Sequence, residues 1–152
     1  MNKYIGTKIV EARPMNRGEY NEYRGWTIPK DENPADEGFL VKYHDNYESW
    51  SPKKAFEEAY RPTDGMNFGL ALEAAKKGKR IARAGWNGKD QWVELGVDII
   101  FRTKGDAPAM IAMHEDIGSQ ALVFWGTRGT QVGWLASQSD MLAEDWMVLE
   151  EV

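Results

Sequence analysis

The chain has 152 residues, of which 42% are hydrophobic, enough for one domain or two small domains with packed cores. A net charge of −5 argues against a general binder of nucleic acid polymers, and the absence of cysteine rules out disulfides, thiolate metal sites and cysteine nucleophiles. No apolar run approaches the ~18 residues of a membrane span, and the first residues lack the apolar stretch of a signal peptide, which predicts a cytosolic protein.

Residues 1–61 are predicted to form a small α+β unit. In chain order we expect a strand over Lys3–Ala12, a short helix in RGEYNEYRGW, a loop in KDENPADEG and a second strand in FLVKYH. Ser51 is then expected to cap a helix with Pro52 at its first position, because Ala55, Phe56 and Ala59 line one helical face.

The segment RPTDG, residues 61–65, is the best candidate for a domain boundary. Pro62 disfavours a continuing helix, and Asp64-Gly65 is typical of a turn. We therefore expect two domains, one over 1–61 and one over 66–152.

The second domain is predicted to be a small antiparallel β-sheet with one packed helix. Asn67 caps a helix whose apolar residues follow helical spacing, and Gly78 ends it. Short β-like runs follow, separated by polar or glycine-rich turns, at KRIAR, QWVEL, DIIFR, AMIAM, ALVFW and QVGWL. The fold class is therefore α+β throughout, and residues 102–120 are expected to form a loop or an insertion.

Positive charge is concentrated in residues 76–89, which hold six basic residues and no acidic one. Removing these six charges from the net −5 leaves −11 on the rest of the chain. This pattern fits either a solvated helix end followed by a hairpin or a compact site for a small phosphorylated ligand.

Catalytic motifs are not evident in the sequence. It has no phosphate-binding glycine loop, no G-x-S-x-G elbow and no H-E-x-x-H, and its two histidines, His44 and His114, lie far apart. We therefore expect no catalytic residue, no metal site and no cofactor, although carboxylate catalysis is left open.

Tryptophan is dense in the second domain, which holds five of the seven in the chain: Trp86, Trp92, Trp125, Trp134 and Trp146. Trp92 and Trp146 lie in apolar strands and are expected in the core. Trp86 lies in the glycine-flanked turn GWNGK, which is poorly suited to burial but well suited to presenting a flat face to a base.

The run Ser137–Asp140 has the spacing of a helix start, with Ser137 as the cap and Asp140 at the third position. The exposed backbone N–H groups of such a turn, beside Gln138 and Ser139, are also suited to binding a phosphate or a base edge.

Two stretches, MNFGLALEAAKKGKRIARAGWNGKDQWVEL and GWLASQSDMLAEDWMVLE, resemble the phage Thoeris anti-defence family of the second type (Tad2-like). The resemblance covers residues 66–150 except for a middle portion, about 97–121. It implies a homotetramer that acts as a sponge: it sequesters, without degrading it, a glycocyclic-type cyclic ADP-ribose isomer made by TIR-domain immune enzymes. Some members are implied to bind cyclic dinucleotides as well.

Carried over to this sequence, the resemblance implies a ligand pocket between two protomers in the host cytoplasm. Its residues would be Arg83, Trp86, Asn87, Trp134, Ser137, Gln138, Asp140 and Met141. Trp86 would stack on the ligand, Arg83 would offer its fork to the pyrophosphate, and Asn87, Gln138 and Asp140 would bond base edges or ribose hydroxyls. Gly133, Ser139 and the long middle segment depart from the family pattern and leave ligand preference open.

Two other readings stay open at this point. The chain could be a phage virion or host-protein interaction module, with its aromatic residues forming a protein interface, or it could be an enzyme that hydrolyses the same nucleotide. Residues 1–61 resemble a phage module often found before this domain, and the resemblance implies no function for it.

Overall fold

The computed structural model describes residues 1–86, 90–97 and 120–149 of the chain. Contacts divide the chain into two compact units, Met1–Arg61 and Pro62–Val152. Both units are α+β with antiparallel sheets, which confirms the predicted fold class. Within the described ranges, no helix combines the length and the apolar character needed to cross a membrane.

The first unit is a three-stranded antiparallel sheet with two helices. Its elements in chain order are β1 Glu11–Pro14, α1 Arg17–Arg24, β2 Gly38–Lys42, β3 Glu48–Pro52 and α2 Lys53–Ala59, and the strand order is β1-β2-β3. Met15, Tyr20 and Leu40 form its core, with the half-buried Trp50 packed against them.

The predicted helix α1 is confirmed, and its ends follow the local sequence. Asn16 and Glu19 form a capping box at its start, each side chain accepting a hydrogen bond from the other's backbone N–H. Gly25 follows the helix with φ 69°, the left-handed conformation that glycine adopts readily. Trp26 then packs edge-on against Tyr20 with ring centroids 5.9 Å apart, which is the apolar contact that commonly accompanies this helix end.

Two predictions for the first unit were wrong. Residues 1–10 form no strand, because Glu11 pairs with Lys42, the last residue of β2, and earlier residues would extend past the β2–β3 turn. Ser51 does not cap α2, because it pairs with Phe39 inside β3. Pro52 holds the N-cap position instead, without a side-chain hydrogen bond.

The second unit is a five-stranded antiparallel sheet covered by one helix, as predicted. Its described elements are α3 Phe68–Lys76, β4 Arg80–Arg83, β5 Trp92–Gly96, β6 Ala121–Gly126, β7 Gly129–Val132, α4 Gln138–Met141 and β8 Trp146–Leu149. The strand order is β7-β6-β5-β4-β8. Gly96, the last residue of β5, is the register partner of Ala121, the first residue of β6, so the end of one strand lies beside the start of the next.

Three of the predicted strand runs, KRIAR, QWVEL and ALVFW, are confirmed as β4, β5 and β6. The run QVGWL overlaps β7 only at Gln131 and Val132, because the strand ends before Gly133, which has φ 78°. The runs DIIFR and AMIAM and the predicted loop or insertion over 102–120 lie outside the described residues, apart from residue 120 itself.

The helix α3 packs on the sheet through small residues. Asn67 caps it by accepting a hydrogen bond from the backbone N–H of Leu70, as predicted. Ala71, Ala74 and Ala75 are buried, and their short side chains let the helix approach the sheet closely. The buried sheet residues on this side are Ile81, Val93 and Trp146.

Trp146 is fully buried, as expected, but Trp92 is not part of this core. Successive strand residues face opposite sides of a sheet, so with Val93 in the core Trp92 lies on the other face. There it is half-buried and stacks on Trp125, with ring centroids 5.5 Å apart.

Candidate ligand-binding site

The pairing of β4 with β8 brings two distant segments of the chain together. Arg83, the last residue of β4, is the register partner of Trp146, the first residue of β8. The turn after β4 therefore lies beside α4 and the residues that lead into β8, and the backbone N–H of Ala84 donates to the carbonyl of Asp145 at 3.1 Å. The two motifs that are about fifty residues apart in sequence form one cluster.

The start of α4 is held by a capping box, as predicted from Ser137 and Asp140. The Asp140 N–H donates to the Ser137 hydroxyl at 3.2 Å, while the Ser137 N–H donates to Oδ2 of Asp140 at 3.0 Å. The same Oδ2 accepts the Ser137 hydroxyl at 2.7 Å. The indole of the buried Trp146 donates to the Asp140 carbonyl at 2.8 Å, so this short helix is fixed to the core.

The guanidinium of Arg83 lies between two carboxylates. Its Nη1 donates to Oδ1 of Asp140 at 2.9 Å, and its Nε donates to Oδ1 of Asp145 at 2.8 Å. The Arg83 and Asp140 side chains are only 18% and 13% exposed, so solvent screens this pair weakly. The second oxygen of Asp145 accepts the backbone N–H of Gly85 at 2.8 Å.

Gly85 packs closely against the Asp145 carboxylate. A Cβ at this position would lie 2.9 Å from Oδ2 of Asp145, closer than a carbon normally approaches an oxygen. A side chain there would push away the carboxylate that accepts the Gly85 N–H. The glycine before Trp86 is therefore explained by close packing.

Both carboxylates of the cluster are held in the ionised form. Burial on its own would raise the pKa of Asp140, but hydrogen bonds from Ser137, Arg83 and Trp86 outweigh it and lower the pKa to about 2. The hydrogen bond from Arg83 lowers the pKa of Asp145 against the opposing effect of burial. The same two carboxylates raise the pKa of Arg83.

Trp86 is half-buried, and the expectation that its glycine-flanked turn is poorly suited to burial was wrong. Its ring meets Phe124, Trp134 and Trp146 edge-on, with centroids 5.4, 6.0 and 5.4 Å away. Its Nε1–H donates to Oδ1 of Asp140 at 3.2 Å. The turn folds the indole back over the core and ties it to α4.

Five of the predicted site residues lie together: Arg83, Trp86, Trp134, Ser137 and Asp140. Gln138 and Met141 belong to α4 and are exposed. Asn87 lies outside the described residues.

Two members of the cluster, Asp145 and Phe124, were missed from sequence. The available clue for Asp145 was an acidic residue directly before the buried Trp146 in the motif S-Q-x-D-M-L-A-E-D-W. Phe124 gives no comparable clue, because its contact with Trp86 depends on the register of β6.

Four of the five basic side chains described in the 76–89 segment lie near specific carboxylates. Lys76 and Lys77 lie 2.8 and 3.9 Å from oxygens of Glu73. Arg80 lies 3.6 Å from Glu94 and over the ring of Trp92. With Arg83 placed between Asp140 and Asp145, the structure gives more support to paired surface charges than to a basic pocket for a small anion. No set of three or more His, Asp or Glu among the described residues is placed to hold a metal ion.

The second unit is thus a small α+β domain, one helix on a five-stranded antiparallel sheet, with an aromatic and charged cluster at one end. Residues 66–149 match the Tad2-like family, described as a Thoeris anti-defense 2-like domain. Thoeris anti-defense 2 of Bacillus phage SP01 is 34% identical over 86 residues, which is 55% of this chain and 94% of that protein. The chain belongs to the Tad2-like family, as its sequence motifs predicted, and has a role in phage anti-defence.

Proposed function

We propose that this protein binds and sequesters, without degrading it, a cyclic ADP-ribose isomer of the glycocyclic type that TIR-domain immune enzymes produce. The observation that carries the proposal is that the two family motifs join into one aromatic and hydrogen-bonded cluster built on Trp86 and Asp140. The protein would act inside the infected bacterium, where this nucleotide is made, and would need no cofactor.

The exposed parts of the cluster suit a nucleotide. Trp86 and Trp134 are half-buried, and a base or ribose packed on their accessible ring surface gains stacking energy without a reaction. Ser137, Gln138 and Met141 expose polar and apolar groups on the neighbouring α4. Together with Asn87 they are proposed to bond the base edges and ribose hydroxyls.

Sequestration is favoured over hydrolysis by the state of the carboxylates. A general base acts best with a pKa near the working pH. Hydrogen bonds hold the pKa of Asp140 at about 2 and lower the pKa of Asp145, and Arg83 occupies both groups. Neither carboxylate is therefore suited to take a proton from water at neutral pH.

A second copy of the chain is proposed to complete the pocket, in a homotetramer. Three apolar side chains near or within α4 face solvent: Leu135 is 88%, Leu142 79% and Met141 39% exposed. Apolar residues grouped next to a ligand site are typical of a surface that is buried on association. Such burial would also slow ligand release, which sequestration requires.

The test is recovery of the intact nucleotide. Purified protein is incubated with the glycocyclic ADP-ribose isomer, free ligand is removed, and the protein is denatured by heat. Chromatography should then recover unchanged nucleotide in a fixed ratio to protein. Recovery of a cleaved product would assign the chain to the hydrolytic alternative.

A thermal-shift panel extends the test to ligand identity. A ligand that binds only the folded protein raises its melting temperature by mass action. The panel should contain cyclic ADP-ribose isomers and cyclic dinucleotides, with linear ADP-ribose as the control. No shift with any of them would favour the protein-interaction alternative.

A further inference from the structure

Asp145 and Arg83 together connect the two segments that carry the proposed ligand contacts. Arg83 donates one hydrogen bond to Asp145, and each residue makes one more: Arg83 donates to Asp140 of α4, and Asp145 accepts from the backbone N–H of Gly85 in the turn that holds Trp86. The Asp140 oxygen that accepts from Arg83 also accepts the Trp86 indole N–H. These two side chains therefore brace the turn that holds Trp86 against α4, in addition to the direct hydrogen bond between Trp86 and Asp140.

The fork of Arg83 is poorly placed to bind a pyrophosphate directly. Arginine recognises phosphate through donors in a rigid plane, and two of these donors, Nε and Nη1, already serve carboxylates. The formal charges of Arg83, Asp140 and Asp145 add to −1, which repels an anion. A phosphate that displaced Asp140 would leave a mostly buried carboxylate without its cation, and such uncompensated charges are costly.

We propose that Arg83 and Asp145 are positioning residues: they hold the Trp86 indole and α4 at the spacing that the ligand requires, and neither contacts the ligand. The ligand part of this inference rests on the proposed function, whereas the effect on the Trp86 indole does not. Preorganisation of this kind raises affinity because less conformational freedom is lost on binding.

Two substitutions disrupt the hydrogen bonds of Arg83 and Asp145 with little change in side-chain size. Arg83→Lys keeps the positive charge but replaces the planar fork with a single ammonium, which cannot reproduce the two directed bonds. Asp145→Asn keeps the shape but removes the charge and one of the two acceptor oxygens. Glu144→Gln is the matched control, because Glu144 is the exposed neighbour of Asp145 and undergoes the same change from carboxylate to amide.

The first readout needs no ligand. With indole nitrogens labelled by ¹⁵N, the Trp86 Nε1–H resonance is assigned by its loss in Trp86→Phe. We expect Arg83→Lys and Asp145→Asn to shift this resonance and speed its exchange with solvent, and Glu144→Gln to leave it unchanged. An unchanged Trp86 resonance in a folded Asp145→Asn protein would overturn the inference, and this variant carries the test if Arg83→Lys does not fold.

The second readout is affinity for the glycocyclic ADP-ribose isomer. Each single variant should bind on the order of tenfold more weakly, and the double variant no more weakly than the worse single one, because both act through one network. If Arg83 held the phosphates, Asp145→Asn would release its fork and tighten binding, and this result overturns the inference.

The two readouts separate this inference from the proposed function. A wild-type protein that binds no cyclic nucleotide contradicts the proposed function, while the Trp86 indole resonance still decides whether Arg83 and Asp145 position it.

Discussion

Trp86→Ala tests the candidate site most directly, because the structure gives this side chain two roles. Its ring meets Phe124, Trp134 and Trp146, and its Nε1–H is bonded to Asp140. Truncation therefore removes both a proposed ligand surface and part of the packing around the core.

The two losses differ in size. Deleting a fully buried aromatic side chain costs ~3–5 kcal/mol, and for a half-buried one we expect about half of this loss in the free energy of unfolding. A domain of this size typically has ~5–15 kcal/mol of stability, so the variant should remain folded at 25 °C. Loss of one stacked base costs ~1–3 kcal/mol, which weakens ligand binding by about 5- to 150-fold.

The assay combines urea unfolding with calorimetric titration of the glycocyclic ADP-ribose isomer below the unfolding transition. Trp26→Ala is the matched control, because Trp26 is 50% exposed and also makes an edge-on aromatic contact, but in the first unit. It should lower stability without changing affinity. Wild-type affinity in folded Trp86→Ala would refute the ligand contact, and an unchanged unfolding free energy would refute the packing role.

Three further predictions concern charge, packing and association. Because the pKa of Asp140 is lowered from 3.8 to about 2, its stabilising contribution is complete above pH ~4 and is lost as pH falls towards 2. Urea unfolding across this range should show that the free energy of unfolding falls more steeply with decreasing pH in the wild type than in Asp140→Asn. An equal fall in both proteins would contradict the assignment. Ala71→Leu should lower the unfolding free energy by ~1–3 kcal/mol, because Ala71 is fully buried on the face of α3 that packs on the sheet. Ala59→Leu at an exposed position of α2 is the control and should change the unfolding free energy by less than about 0.5 kcal/mol. Leu142→Glu places a charge on a residue that is 79% exposed in the proposed interface, so light scattering should give a lower mass than the wild type; an unchanged mass would remove this surface from the interface.

Local patterns predicted the helices and strands where their causes are local. The caps at Asn67 and Ser137 follow from short-range hydrogen bonds, and both were recognised in the sequence. The errors at Lys3–Ala12 and Ser51 have a non-local cause. The start of β1 depends on where β2 ends, and Ser51 lies in a strand because it faces Phe39 of β2. Strand register is set by a distant partner, which a periodicity within one segment does not reveal.

The site was predictable in its membership but less so in its roles. Motif residues such as Trp86 and Asp140 do lie together. Arg83 is bonded to two carboxylates, one of which is Asp145. This arrangement depends on the pairing of β4 with β8, which joins segments about sixty residues apart in sequence. Charge counted along the sequence therefore indicated a basic site, whereas charge counted in space is close to balanced.

The Gly96–Ala121 register pair defines where this domain can be lengthened. Both residues lie within the β5–β6 ladder, at the end away from Trp92 and Trp125. The pairing of β5 with β6 is therefore fixed by contacts between the two strands themselves. A reporter peptide or a small folded domain inserted between residues 97 and 120 should leave the β4–β8 pairing intact, which makes this position a practical one for attaching a fluorescent sensor.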